Sequence, residues 1–130
     1  MNLSFKKEEH LCSKKAFDNL LKTGSSLFCY PLKIQWVKTD FPLPCRVQIA
    51  FAVPKKRFKR AVDRNLIKRR LREAYRLNKS SLHSFLEERQ IRLQILFVYI
   101  APDILTYREL EPKIKKVLDS IMDAVQKTAQ

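Results

Sequence analysis

Between Lys55 and Lys79 the chain places twelve lysines and arginines against two acids, Asp63 and Glu73. The whole chain of 130 residues has a formal net charge of +14, so a net +10 falls in this one stretch. Like charges crowded on a single element repel, which restricts the stretch to folds that leave its charged side open to solvent or to a polyanion. Its apolar residues are spaced for such a fold. At 100° per residue, Asn65, Lys68, Arg69, Arg72 and Arg76 share roughly 100° of arc, while Ile67, Leu71 and Ala74 lie opposite with Tyr75 on their flank. The spacing predicts a helix over 62–78 with one face on a core and a cationic ridge on the other. Glu73 is the one acid among residues 64–79, so internal ion pairs cannot neutralise the ridge.

A charged helix face is most often merely solvated, but a solvated face normally mixes both signs. The ridge is also rich in arginine, whose planar fork pairs bidentately with phosphate. Anion binding is therefore the expectation, with a nucleic-acid backbone favoured over a membrane surface. The apolar side of the helix has Ile, Leu and Ala but no Trp or Phe to insert into lipid. No apolar run approaches the roughly 20 residues of a membrane-spanning helix. Cys12, Cys29 and Cys45 are scattered and form no C-x-x-C pair, so neither a zinc site nor a disulfide framework is indicated. The expectation is a soluble, cytoplasmic protein with reduced thiols and no membrane partner.

Helical spacing appears first at Phe17, Leu20 and Leu21, on a segment opened by Ser13 and closed by Gly24. Gly24 is the only glycine in the chain and is expected in the left-handed conformation past a helix end. Phe28, Tyr30, Leu32, Ile34 and Trp36 then share one parity, with Lys33 and Gln35 on the other, as in a strand or a strand pair interrupted at Pro31. After a turn at 40–44, Cys45, Val47, Ile49, Phe51 and Val53 alternate again up to Pro54, and a basic loop runs from Lys55 to Arg60. Ser80-Ser81 breaks or restarts the helix, with Leu82, Phe85 and Leu86 as apolar contacts. Residues 91–100 form a strand, apolar on both faces from Ile95 and so central in a sheet. Leu110, Ile114, Val117, Leu118, Ile121 and Val125 mark an amphipathic final helix. Thr106 and Glu109 have capping-box spacing at its start, with Pro112 as the alternative first-turn residue. The order is α-β-β-(β)-α-β-α in one domain, 1–130, with 45% hydrophobic residues to build its core.

A nuclease site of the chain's own is not visible. His10 and His83 stand apart from any telling Cys, Ser or acid and read as surface residues. The acids fall as Glu8-Glu9, Glu87-Glu88 and Glu109 with Glu111, spacings of caps and solvated faces rather than of the convergent carboxylates of a two-metal site. A single glycine excludes a glycine-rich phosphate loop.

The run Lys59-Arg-Ala-Val-x-Arg64-Asn65-x-x-Lys68-Arg69-x-x-Arg72-Glu73-Ala-x-Arg76 resembles the signature of the bacterial ribonuclease P protein subunit. Ala16-Phe17…Leu21-x-x-Gly24 is similar to that family's first helix. Cys45-Arg46-Val47 through Val53-x-Lys55-Lys56 is similar to the strand before the signature. The resemblance covers nearly the whole chain. It implies an α/β (α+β) two-layer sandwich, with a central mixed sheet and a left-handed β-α-β crossover where a right-handed one is otherwise the rule. It implies removal of the 5′ leader from precursor transfer RNA, with the Mg²⁺-dependent hydrolysis carried by the RNA subunit and no cofactor held tightly by the protein. The protein would be a monomer in a one-to-one complex with that RNA. Docking on the RNA subunit would fall to Arg60, Arg64, Asn65, Lys68, Arg69, Arg72 and Arg76. A cleft between the first helix and the sheet would hold the leader, with Phe17 and Trp36 stacking on bases and Lys55, Lys56 and Arg57 gripping phosphates.

Packing between helix and sheet would use Phe17 and Trp36 equally well, and Tyr30 and Tyr75 read as core. Four positions depart from the family pattern: Leu21 for a second aromatic, Pro54 for a serine, Phe58 for a glycine and Leu66 for an arginine. Two other classes share the charge pattern. A ribosomal or other structural RNA-binding protein would bind without assisting cleavage. A DNA-binding protein would need neutral base-reading side chains on its recognition helix, where this ridge has only Asn65.

Overall fold

The computed structural model describes residues 24–38 and 47–128, with Leu20 and Lys22 before them. Its elements are β1 (Ser25–Cys29), β2 (Leu32–Lys38), β3 (Val47–Ala52), α1 (Ala61–Asn78), α2 (Ser80–Arg89), β4 (Leu93–Tyr99) and α3 (Tyr107–Thr128). The strands form one mixed sheet in the order β1-β2-β4-β3. β1 and β2 are an antiparallel hairpin, β2 and β4 are antiparallel, and β3 and β4 are parallel neighbours connected through α1 and α2. The expected order of elements holds, and the first β segment is two strands. Leu20 and Lys22 are helical, in agreement with the segment predicted before Gly24.

β4 lies between two strands and is buried on both faces from Leu93 to Phe97, as its continuous apolar run required. One face of the sheet carries Leu32, Ile34, Trp36, Val47, Ile49, Ile95 and Phe97. This face packs with Ile67, Leu71, Ala74 and Tyr75 of α1 and with the apolar stripe of α3 into the main core. The stripe is the one the sequence predicted: Leu110, Ile114, Val117, Leu118, Ile121 and Val125 are all buried. Six such side chains, at roughly 1.5–3 kcal/mol each, far outweigh the surface pairs Glu111–Lys115 and Asp123–Lys127, worth about 0.2–0.5 kcal/mol apiece. Aromatic rings fill the space beneath α1, with Phe51 stacked on Phe97 at 5.1 Å and edge-on to Tyr75 at 6.3 Å.

The start of α3 is set by Thr106. Its hydroxyl accepts the Glu109 backbone N–H at 3.2 Å and donates to the Glu109 carboxylate at 3.1 Å, while Pro112 sits inside the helix on its exposed side. α1 and α2 meet at Lys79, which confirms the restart at Ser80-Ser81. α2 closes with the left-handed turn usual for glycine, here taken by Gln90 at φ 58°.

Gly24 corrects an expectation. It does not adopt a positive φ; its N–H continues the helical pattern to Leu20 O at 2.9 Å. What demands glycine there is closeness of approach, since a Cβ would stand 2.4 Å from Leu20 O and 3.2 Å from Trp36 O. The chain leaves the helix directly against the sheet, and any side chain would push the two apart.

Candidate RNA interface

α1 sorts its residues as the 100° spacing demands. Ile67, Leu71, Ala74 and Tyr75 are buried, whereas Arg60, Asn65, Arg69 and Arg72 are exposed and Arg64, Lys68 and Arg76 are half-exposed. Arg60 is the residue before the first helical turn and makes no side-chain capping bond. Among the described residues, no acid pairs with Arg60, Lys68, Arg69 or Arg72. A hollow of about 430 Å³ runs along this side, lined by Val62, Asp63, Asn65, Leu66, Arg69 and Arg72. Leu66, one of the departures from the family pattern, contributes part of its apolar floor.

Two arginines of the predicted set are partly spent inside the protein. Arg76 pairs with Glu73 one turn earlier, and its hydrogen bonds hold the Glu73 carboxyl below the ordinary carboxylate range. Arg64 donates from Nη1 to the carbonyls of Phe58 at 2.7 Å and Lys59 at 2.9 Å. Arg70, which the sequence did not single out, donates to Leu105 O at 2.7 Å and ties α1 to the segment entering α3. Arginines at these positions therefore divide between an outward set and a set that braces the helix.

The basic turn between β3 and α1 has a fixed shape. Pro54 O accepts from the N–H groups of Arg57 and Phe58, closing a turn that leaves Lys55, Lys56 and Arg57 exposed. Phe58 anchors it from below, only 7% exposed and 5.8 Å from the Tyr99 ring. This packing accounts for a phenylalanine where the family pattern has glycine. With Arg64 bonded to Phe58 and Lys59, the turn and the helix form one braced cationic surface.

The second face of the sheet differs in character. It is read from the ladders in three rows: Phe28–Lys33–Val98–Ala52, Ser26–Gln35–Leu96–Ala50, and Val37–Gln94–Gln48. Leu20 and Leu96 are buried together on it, with Val37, Ala50, Ala52 and Val98 packed alongside and half-covered. This is the face toward the first helix.

Trp36 is not on that face, which corrects the expectation that it lines the cleft. It pairs with Ser25 and Ile95, belongs to the main core beneath α1 and α3, and is 3% exposed. No ring face remains for a base, and its buried Nε1 has no hydrogen-bond partner. Phe17 lies outside the described residues. Tyr75 is core as expected, its hydroxyl bonded to His83 Nε2 at 2.9 Å, so His83 is half-buried rather than a bare surface residue. Tyr30 is the reverse, 51% exposed at the hairpin turn. The aromatic that does project from the second face is Phe28, 71% exposed and opposite Lys33. Its signal in the sequence was the hairpin itself. In a hairpin pairing Cys29 with Leu32, residues 27 and 29 share the face of 32 and 34, and Phe28 falls with Lys33 and Gln35.

A mixed sheet backed by helices, a braced basic turn and an arginine ridge define an RNA-binding α+β protein. A ribonuclease P family model matches residues 5–122. A ribonuclease P protein component of Porphyromonas gingivalis is 34% identical over 123 residues, covering 95% of this chain and 90% of that one. That of Chlorobium phaeobacteroides is 37% identical over 105 residues, covering 75% and 72%. The fold is similar to the ribonuclease P protein of Staphylococcus aureus, with a TM-score of 0.71 at 20% identity over 87% of this chain and 94% of that one. It is likewise similar to that of Thermotoga maritima, with a TM-score of 0.66 at 20% identity over 85% and 94%. The chain belongs to the family of ribonuclease P protein components, part of the endoribonuclease ribonucleoprotein that processes transfer RNA. Membership decides against both the ribosomal and the DNA-binding alternatives.

Proposed function

We propose that the outward face of α1 docks the chain on the ribonuclease P RNA and that the second face of the sheet holds the 5′ leader of precursor transfer RNA. The observation that carries the first half is the exposure of Asn65, Arg69 and Arg72 on one side of α1, with Arg60 just before it, and no ion pair to any of these arginines among the described residues. Uncompensated guanidinium groups at helical spacing suit crowded phosphates, where each contact releases a counterion. Lys68 and the half-exposed Arg64 and Arg76 extend the same surface.

For the leader, Lys55, Lys56 and Arg57 supply phosphate contacts from a turn that is already shaped, so little ordering entropy is lost on binding. Phe17 stays in the proposal as a base-stacking residue; Trp36 does not. The protein contributes binding and positioning, while the RNA subunit with its Mg²⁺ carries the hydrolysis and the protein holds no cofactor of its own. The 130 residues act as a single domain, as one copy per RNA, in the cytoplasm. Among the described residues no helix is long and apolar enough to cross a membrane.

The deciding experiment adds the chain to ribonuclease P RNA at low Mg²⁺ and follows cleavage of precursor transfer RNA. Faster cleavage at the mature 5′ end, together with tighter binding of precursor than of mature transfer RNA, is the expected result. Binding of the RNA subunit with no gain in precursor affinity or rate would remove the leader from the proposal.

A further inference from the structure

We propose that Phe28 is a stacking platform for one base of the single-stranded leader, with Lys33 beside it holding the adjoining phosphate. The inference rests on the leader reading above and names a residue that reading does not require. A single exposed phenylalanine is ordinary on a protein surface and carries nothing alone. Three further features of this one give it a use.

The first is its place in the ladder. Phe28 heads the row Phe28–Lys33–Val98–Ala52, and strands about 4.8 Å apart make that row roughly 15 Å long. Its last two members, Val98 and Ala52, are half-covered and apolar, so the floor beyond Lys33 is low. Beyond Ala52 the chain runs directly into the exposed Lys55, Lys56 and Arg57. An aromatic ring at one edge and a cationic turn at the other, joined by a short apolar floor, form the combination that holds single-stranded nucleic acid.

The second is Lys33, exposed and paired directly opposite Phe28 on the same face. Cross-strand neighbours have Cβ atoms about 5 Å apart, so an ammonium group stands within reach of a phosphate whose base lies on the ring. The third is Gln35 in the next row, whose side-chain oxygen is shut off from solvent without any hydrogen-bond partner. Buried amide oxygens are normally satisfied. A base edge lying along the row would supply the partner that this amide lacks.

The test compares wild-type chain with Phe28→Ala and Phe28→Tyr in the holoenzyme assembled with ribonuclease P RNA. Kd is measured for precursor and mature transfer RNA, and the precursor set carries 2-aminopurine at successive leader positions. A ring 71% exposed can be truncated without opening the core, and a circular-dichroism melt checks this. Phe28→Ala should weaken precursor binding roughly five- to a hundred-fold, the range of one lost stack, with mature transfer RNA unaffected. One leader position should be quenched by the wild type, released by Phe28→Ala and quenched again by Phe28→Tyr. If the wild type favours precursor while Phe28→Ala behaves identically, Phe28 is not the platform and the leader reading survives. If the wild type does not favour precursor, both fall. Equal loss for mature and precursor RNA, or a change in self-association on sedimentation, would overturn the proposal by giving the ring another partner.

Discussion

Arg64 Nη1 stands 2.7 Å from the carbonyl oxygen of Phe58, six residues earlier, and 2.9 Å from that of Lys59. One guanidinium in the first turns of α1 thus secures the end of the basic turn whose other end is closed on Pro54 O. Arg64→Ala removes two charge-assisted bonds, worth roughly 1.5–3 kcal/mol each where solvent is excluded and less at this half-exposed site. We expect about 1–2 kcal/mol lower stability by urea denaturation. Precursor binding should weaken as well, because Lys55, Lys56 and Arg57 lose their fixed presentation. Arg64→Lys keeps the charge but cannot reproduce the fork, so partial recovery of affinity without recovery of stability is the expected pattern.

Arg69 and Arg72 are exposed and touch neither the core nor any acid among the described residues. Replacing both by Ala should leave the melting temperature within a few degrees of wild type and weaken binding to the RNA subunit. The plot of log K against log salt should lose about 2 in slope magnitude, one for each lost phosphate contact. An unchanged slope in the folded double variant would move the docking surface elsewhere.

Trp36 tests the corrected placement. Truncating a large buried aromatic to Ala costs about 3–5 kcal/mol. Trp36→Phe also removes the unpartnered Nε1–H, and relief of about 1–3 kcal/mol from an unsatisfied donor offsets much of the lost volume. Trp36→Ala should therefore be severely destabilised and Trp36→Phe nearly neutral in a denaturant melt. In folded samples of either, the ratio of precursor to mature affinity should match wild type. A selective loss of precursor binding in Trp36→Phe would return the ring to the leader.

Tyr107 couples stability to alkaline pH. Burial, followed by its hydrogen bond to Glu111, pushes its hydroxyl up to about 12 from the ordinary 10. The folded state therefore keeps a proton that the unfolded chain gives up, and its contribution is complete below pH 10. Above that the unfolded chain binds fewer protons, so stability falls between pH 10 and about 12. Denaturant melts across that range should show the decline, and Tyr107→Phe should flatten it. Phenolate absorbance should show one tyrosine fewer at the high end of the titration in the variant. Tyr99, also raised by burial, contributes a residual slope of the same sign.

Local pattern alone determined much of this molecule. The buried and exposed sides of α1, the six-residue stripe of α3, the central place of β4 and the Thr106 cap all follow from spacing, because helical and strand periods dictate which side chains share a face. The arginine-asparagine signature in α1 identified the family for a related reason: the residues proposed to meet RNA fall at helical spacing in one continuous stretch of the chain. What pattern could not decide was which face of the sheet each strand residue joins. Period-two alternation relates residues within a strand, but the parity changes across a hairpin with its pairing register. Leu32 and Trp36 therefore entered the core with Leu27 and Cys29, while Phe28 turned outward with Lys33. Tertiary contact likewise decided why residue 24 is glycine, through the carbonyls of Leu20 and Trp36 rather than through its own dihedrals. It also divided the arginines, since only the folded chain brings the carbonyls of Phe58 and Leu105 to Arg64 and Arg70 and leaves Arg69 and Arg72 facing outward.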